Sequence, residues 1–156
     1  MIYTAADHRG VELKIRINEW LKGRGYEFED LGAYEHDPWD DFTDFAIDAA
    51  QKVAQNPEGN RAILICGSGV GMGIAANKVK DIRAGLGFSP DQVHAARKDD
   101  NINVLVLAAD NTGEMLAMDI TEKFLETDFV QSDNYLRRLE KISRFEHETN
   151  KKPRRS

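Results

Sequence analysis

The sequence predicts a doubly wound α/β fold: a mostly five-stranded parallel sheet with an extra C-terminal helix. Three observations predict it. Ala62–Ile65 and Val104–Ala108 are short, fully apolar runs, as strands buried on both faces require. Segments with apolar residues at helical spacing alternate with the strand-like runs. Glycine- and proline-containing stretches such as Gly23-Arg-Gly25 and Asn56-Pro-Glu-Gly-Asn60 separate the two kinds. Ligands of such sheets bind at the carboxyl ends of the strands, so that rim is where function is sought.

The elements follow in order. Ile2–Ala6 reads as a strand, and Asp7 and Gly10 supply a cap and a turn after it. Leu13, Ile17, Trp20 and Leu21 mark an amphipathic helix over about residues 10–22. Tyr26–Leu31 alternates like an outer strand, and 32–41 is an acidic loop. Phe42, Phe45, Ala46 and Ala49 give the helix over 42–54 one apolar face. After the central strand and its glycines, a helix starts at Ile74 and a strand covers Ile82–Phe88. Ser89 and Pro90 suit the cap and first position of a helix over 90–98. Asp99–Asn103 reads as a polar loop, followed by the strand at 104–108 and helices over 112–125 and 133–148. The last helix carries Leu136, Leu139, Ile142 and Phe145 on one face, fit to pack on its own domain or on a second copy. One domain is expected over 1–148, with 149–156 a disordered basic tail.

Composition narrows the function. A net charge of −6 argues against nucleic acid or anionic membrane as the main partner. The basic Lys151–Arg155 reads as a solvated end. One cysteine allows no internal disulfide and fits a reducing, cytoplasmic setting. No stretch has the length and apolarity of a membrane span, and no signal peptide is evident.

The stretch Arg61-Ala-Ile-Leu-Ile-Cys66-Gly-Ser-Gly-Val-Gly-Met-Gly73 carries the chemistry. Strand, glycine loop and helix start together bring backbone N–H groups near a ligand. The spacing is not that of a dinucleotide loop, and it lacks the Gly-Lys-Ser/Thr ending of a P-loop. Arg83–Phe88 also stands where a dinucleotide site wants an acidic residue, about 20 residues on. A buried, inert Cys66 in a tight turn is the bland alternative. The functional reading is proton transfer next to a carbonyl, as in aldose–ketose isomerisation. Cys66 as thiolate would be the base, its pKa lowered by the loop N–H dipoles. The Gly67–Gly71 amides would hold the enediolate oxygen, and Ser68 would shuttle a proton. Asp7, His8 or Asp99 would open the sugar ring. The strand-end rule gathers Asp7, His8, Cys66–Gly71 and Asp99–Asn101 on one rim.

Asp7-His8-x-Gly10, Ile-Leu-Ile-Cys66-Gly-Ser-Gly-Val-Gly71 and Ile-Ala-Ala-Asn-Lys78 together resemble the ribose-5-phosphate isomerase B / galactose-6-phosphate isomerase family. The likeness runs through Asn103-Val-Leu105 to Arg138-Leu-Glu-Lys-Ile142, most of the chain. It implies a flavodoxin-like sheet, a homodimer or dimer of dimers with sites at the subunit interface, and no metal or organic cofactor. It implies Cys66 as base, with Ser68 and Asp7 as helpers and Asp99 at the ring-opening position. Around the sugar it implies His8, Gly67, Gly69, Val70, Gly71, Asp100 and Arg138.

The chain departs from the family pattern at several positions. Asp99-Asp100 replaces a ring-opening histidine and an asparagine. Asp41-Phe42-Thr43 replaces Asp-Tyr-Pro. Asp110, Asn134 and Tyr135 stand where two arginines and a histidine gather the substrate phosphate; of that set only Arg138 matches. A carboxylate in place of a guanidinium repels a phosphate dianion. The expectation is an isomerase acting on a pentose or hexose phosphate or on a related sugar without phosphate. Arg9, Lys98, Arg137 or Arg144 would then supply charge from new positions. The alternatives are a catalytically weak partner subunit or sugar-binding relic of the same family, and a nucleotide-binding module of flavodoxin type.

Overall fold

A computed structural model describes residues 1–150. The chain runs β1 (Ile2–Ala6), α1 (Val11–Gly23), β2 (Phe28–Asp30), α2 (Phe42–Ala54), β3 (Arg61–Cys66) and α3 (Val70–Ala76). It continues β4 (Ala84–Leu86), α4 (Pro90–Asp100), β5 (Val104–Ala108), α5 (Glu114–Glu126) and α6 (Asp133–Asn150). All pairings are parallel, in the order β2-β1-β3-β5-β4. The predicted five-stranded α/β sheet is therefore the observed one. β5 inserts between β3 and β4, which leaves β4 as a three-residue edge strand rather than the seven predicted. The strand order reverses between β1 and β3, where such sheets open a crevice at the carboxyl rim.

The apolar runs split by their pleat. Ala62, Leu64, Cys66, Val104 and Val106 face a layer made by Ala46, Ala49, Val53, Met72 and Ala76 of α2 and α3. Ile63, Ile65, Leu105 and Leu107 face Ile17, Leu21, Val93, Ile120 and Phe124 of α1, α4 and α5. Each fully buried Ile or Leu here contributes roughly 1.5–3 kcal/mol. The same alternation sends the Cys66 side chain to the α2–α3 face.

Charged residues are buried where the helix pattern promised apolar ones. Lys14 of α1 is 1% exposed; its ammonium pairs with Asp30 at the end of β2 and sits 5.2 Å from the centre of the Tyr34 ring. It occupies the face on which Leu13 and Trp20 were expected, and those two are half-buried instead.

Helix α4 does not stop before Asp99 as predicted; it takes in both Asp99 and Asp100 and ends at left-handed Asn101 (φ 49°). Two carboxylates at a helix C-terminus oppose its dipole, but a tertiary anchor outweighs that. Arg97 is buried and donates from Nη1 to Asn101 Oδ1 (2.9 Å) and Ile102 O (2.6 Å), and from Nε to Thr127 O (3.2 Å). Burial pulls its pKa down to about 10.

Helix α6 continues past the predicted end at 148, so Thr149 and Asn150 are helical; the tail at 151–156 lies outside the described residues. α6 touches α4, and Glu146 accepts the Asp81 N–H (3.0 Å), but Leu136, Ile142 and Phe145 remain exposed.

Gly10 is required for packing, not for its backbone angles: a Cβ there would lie 2.3 Å from the Ile65 carbonyl oxygen. Gly10→Ala is expected to lower unfolding stability by about 1–3 kcal/mol in urea titrations. Val11→Ala, one residue on, should follow the ordinary cost of removing two methyl groups and leave the Cys66 environment unchanged.

Candidate active site

The carboxyl ends of β1 and β3 lie side by side, with Ala6 opposite Ile65. That pairing sets Asp7 beside Cys66. Asp7 N–H donates to Ile65 O (3.2 Å), and the carboxylate Oδ1 accepts the N–H groups of Arg9 (3.0 Å) and Gly10 (3.2 Å). Asp7 closes the turn through these bonds but does not cap the helix as the sequence implied: Gly10 is the N-cap of α1 and no side chain caps it. Burial raises the Asp7 pKa, against the lowering effect of those N–H groups and of His8.

Cys66 is 4% exposed at the end of β3. The thiolate expectation is corrected here. Burial pushes the thiol's pKa up, and the Met72 and Gly69 N–H groups and the Arg9 charge offset only part of that. The N–H of Gly69 in the loop and that of Met72 in the first turn of α3 are thus directed at the sulfur. Gly69 adopts φ 75°, a left-handed conformation that turns the chain into the seven-residue α3. Gly67 and Gly69 are buried; Val70 and the Ser68 side chain are exposed, and Ser68 Oγ accepts the Val70 N–H at 3.4 Å. Gly71 lies under the Phe42 ring, where a Cβ would come within 2.8 Å. Asn77 brackets Ala84 with both its amide atoms (2.8 and 2.9 Å), tying α3 to β4.

Arg9 lies over Gly67, so close that a Cβ on Gly67 would meet its guanidinium carbon at 2.3 Å, and it pairs with Asp110 beyond β5. The carboxylate that stands at the arginine position is thus neutralised within its own chain. His8 Nδ1 is 2.6 Å from Asp40 Oδ1, in the loop between β2 and α2. His36 is exposed but meets the His8 ring edge-on at 5.5 Å. Polar atoms of Asp7, His8 and Asp40 lie within 4.8 Å of one another. Within the trio His8 and Asp40 share a hydrogen bond, while the Asp7 carboxylate is held by the Arg9 and Gly10 N–H groups. Sequence reasoning missed Asp40 and the Arg9–Asp110 pair, since nothing local marks one carboxylate of an acidic loop or a partner 101 positions away.

The single-rim expectation fails for the second group of residues. Asn103 O accepts the Ala62 N–H at the amino end of β3, and Asn101 Nδ2 reaches Glu58 in the loop before it (3.2 Å). Asp99, Asp100 and Asn101 therefore lie at the amino rim, across the sheet from Cys66. Arg138 sits on α6 at that side, exposed, 5.9 Å from the centre of the Tyr135 ring. The Tyr135 phenol faces Asp99, whose hydrogen bond raises its pKa. Asp100 lines a groove of about 250 Å³ with Asn77, Ile82, Leu139 and Ile142. Within one chain the predicted site is two half-sites.

The model of the Ribose/Galactose Isomerase family matches residues 2–142. The chain belongs to that family. It is 41% identical over 148 residues to a probable ribose-5-phosphate isomerase B of Mycoplasma genitalium, covering 95% of this chain and 97% of the relative. It is 35% identical over 145 residues to the ribose-5-phosphate isomerase B of Mycobacterium tuberculosis, covering 93% and 89%. The crystal structure of the Mycoplasma genitalium enzyme with bound ribulose-5-phosphate superposes with a TM-score of 0.91, covering 94% of this chain and 96% of that one. The expected fold, family and enzyme class, an isomerase, are borne out. No helix among the described residues is long and apolar enough to cross a membrane.

The burial of Cys66 has a direct readout. In the ligand-free protein its alkylation by iodoacetamide is expected to be slower than that of a free thiol at pH 7.5. The rate should keep climbing above pH 9, because the raised pKa keeps the group protonated further up the scale. Alkylation at the free-thiol rate and pH dependence would contradict it.

Proposed function

We propose that this protein is an aldose–ketose isomerase working through an enediolate, with Cys66 as the proton-transfer base. One observation carries the reading: a lone cysteine ends the central strand, met by the N–H groups of Gly69 and Met72 and flanked by the carboxylate of Asp7. Cys66 takes the proton from the carbon next to the carbonyl and returns it to the neighbouring carbon. Loop N–H groups of Gly67–Gly71 and the cation of Arg9 offset the charge that develops on oxygen. Ser68 Oγ, exposed at the mouth, passes a proton between the two oxygens. Deprotonation and reprotonation need only side chains, so the reading calls for no cofactor. A sugar bound over Cys66 excludes water and brings its own dipoles, so the free-protein pKa is not that of the working complex.

The relatives are named for ribose 5-phosphate, which makes a pentose phosphate the first substrate to test. Asp110, Asn134 and Tyr135 favour a second reading, in which the isomerase takes a sugar with its phosphate elsewhere or absent. The expected result is deuterium uptake from solvent at the carbonyl-adjacent carbon of one sugar in a panel with and without phosphate. Cys66→Ala should slow that uptake by about 10²–10⁴-fold. Uptake that survives Cys66→Ala would remove the cysteine from the mechanism.

A second copy of the chain is part of the same reading, and the cytoplasm its setting, in keeping with one unpaired cysteine. Val70, Ile74, Leu86 and Phe88 are exposed beside the glycine loop, and Ile142 and Phe145 of α6 continue the apolar surface. A homodimer buried there would explain the patch, and it would let Asp99, Asp100 and Arg138 of one protomer complement the Cys66 rim of the other. Ile74→Glu with Phe145→Glu is expected to halve the mass in solution and reduce isomerase activity at least tenfold. A variant that stays dimeric would move the interface elsewhere.

A further inference from the structure

We infer that His8, held by Asp40, is the acid that opens the ring of the bound sugar. The inference rests on the isomerase reading above. Sequence alone left Asp7, His8 and Asp99 as candidates for that step. Within one protomer only two of them share the rim of Cys66. Asp99 is at the amino rim of its own protomer, whereas His8 directly follows Asp7 at the rim that holds Cys66.

The geometry around His8 is that of an oriented imidazole. Nδ1 meets Asp40 Oδ1 at 2.6 Å. The Asp40 side chain is only 9% exposed, and its second oxygen, Oδ2, is buried with no hydrogen-bond partner in the protein. A carboxylate so enclosed has one role in view, to accept Nδ1–H and fix the ring. With Nδ1 engaged, Nε2 is the nitrogen left to exchange protons, and it makes no hydrogen bond among the described residues. The His8 side chain is 23% exposed, open enough to reach a ligand. Three groups face it: Asp40, His36 edge-on at 5.5 Å, and Asp7.

Ring opening needs an acid and a base on two oxygens of one carbon. The bond from C1 to the ring oxygen breaks, its electron pair leaving on that oxygen, which takes the proton of His8 Nε2. The anomeric hydroxyl gives its proton to the Asp7 carboxylate, and its O–H pair becomes the C=O bond. Neutral His8 and protonated Asp7 then exchange with solvent, and both return to their starting states. Polar atoms of Asp7 and His8 lie within 4.8 Å, close enough to serve both oxygens. Asp40 acts through His8 and is a positioning residue.

Anomer interconversion isolates this step, because it opens and closes the ring without any proton transfer at C2. It is measured by exchange NMR on ribose 5-phosphate and on ribose, each ¹³C-labelled at C1. Wild type should accelerate it, and Cys66→Ala should keep that acceleration while losing deuterium uptake at C2. His8→Gln should lose at least about 100-fold in both. Asp40→Asn should fall between, at unchanged KM. Thermal unfolding of each variant checks that the fold is intact. If His8→Gln only raises KM and leaves anomer interconversion at the wild-type rate, His8 is a binding residue and the inference is overturned. No acceleration of either sugar by wild type also overturns it. No C2 exchange with any sugar, by contrast, sinks the isomerase reading itself, whatever the anomers do.

Discussion

The contact of Gly10 against the Ile65 carbonyl is the constraint on which the rest of this site depends. It closes the gap between the turn after β1 and the last residues of β3. Hydrogen bonds from the same turn then anchor the Asp7 carboxylate, and the next side chain, Arg9, falls across Gly67. Any side chain at residue 10 would lever these groups away from Cys66. The close approach is possible because β1 and β3 are parallel neighbours at the point where the strand order reverses.

Charge at the rim is arranged in local pairs rather than as one field. Arg9 is matched by Asp110, His8 by Asp40 and Lys14 by Asp30. The pairs span β1, α1, β5 and the β2–α2 loop, so they also fix those segments to one another. Cys66 sits among them, and burial outweighs the N–H groups directed at it. A thiol is therefore the resting form, and activation falls to whatever enters the site.

The two half-sites follow from how α4 is pinned. Arg97 is buried at the amino rim by three hydrogen bonds to Asn101, Ile102 and Thr127, and its helix must end there. Asp99 and Asp100 travel with it. The exposed apolar surface running from Val70 and Ile74 to Phe145 stands between the two rims, which gives the fold an unfinished side.

The fully apolar runs Ala62–Ile65 and Val104–Ala108, the glycine loop and the helical spacings determined the sheet, its parallel sense and the place of Cys66, Asp7 and His8. These are local patterns, and a two-sided core admits few other readings of them. The end of α4 was misread because carboxylates oppose a helix C-terminus, while the buried guanidinium that overrides this is a long-range feature. The pairs His8–Asp40 and Arg9–Asp110 were also beyond the sequence, because each joins residues from separate loops. The direction of the Cys66 pKa belongs with them. N–H dipoles can be inferred from a glycine loop, but the desolvation that defeats them is set by α2 and α3 packing over the strand end, which only the tertiary structure decided.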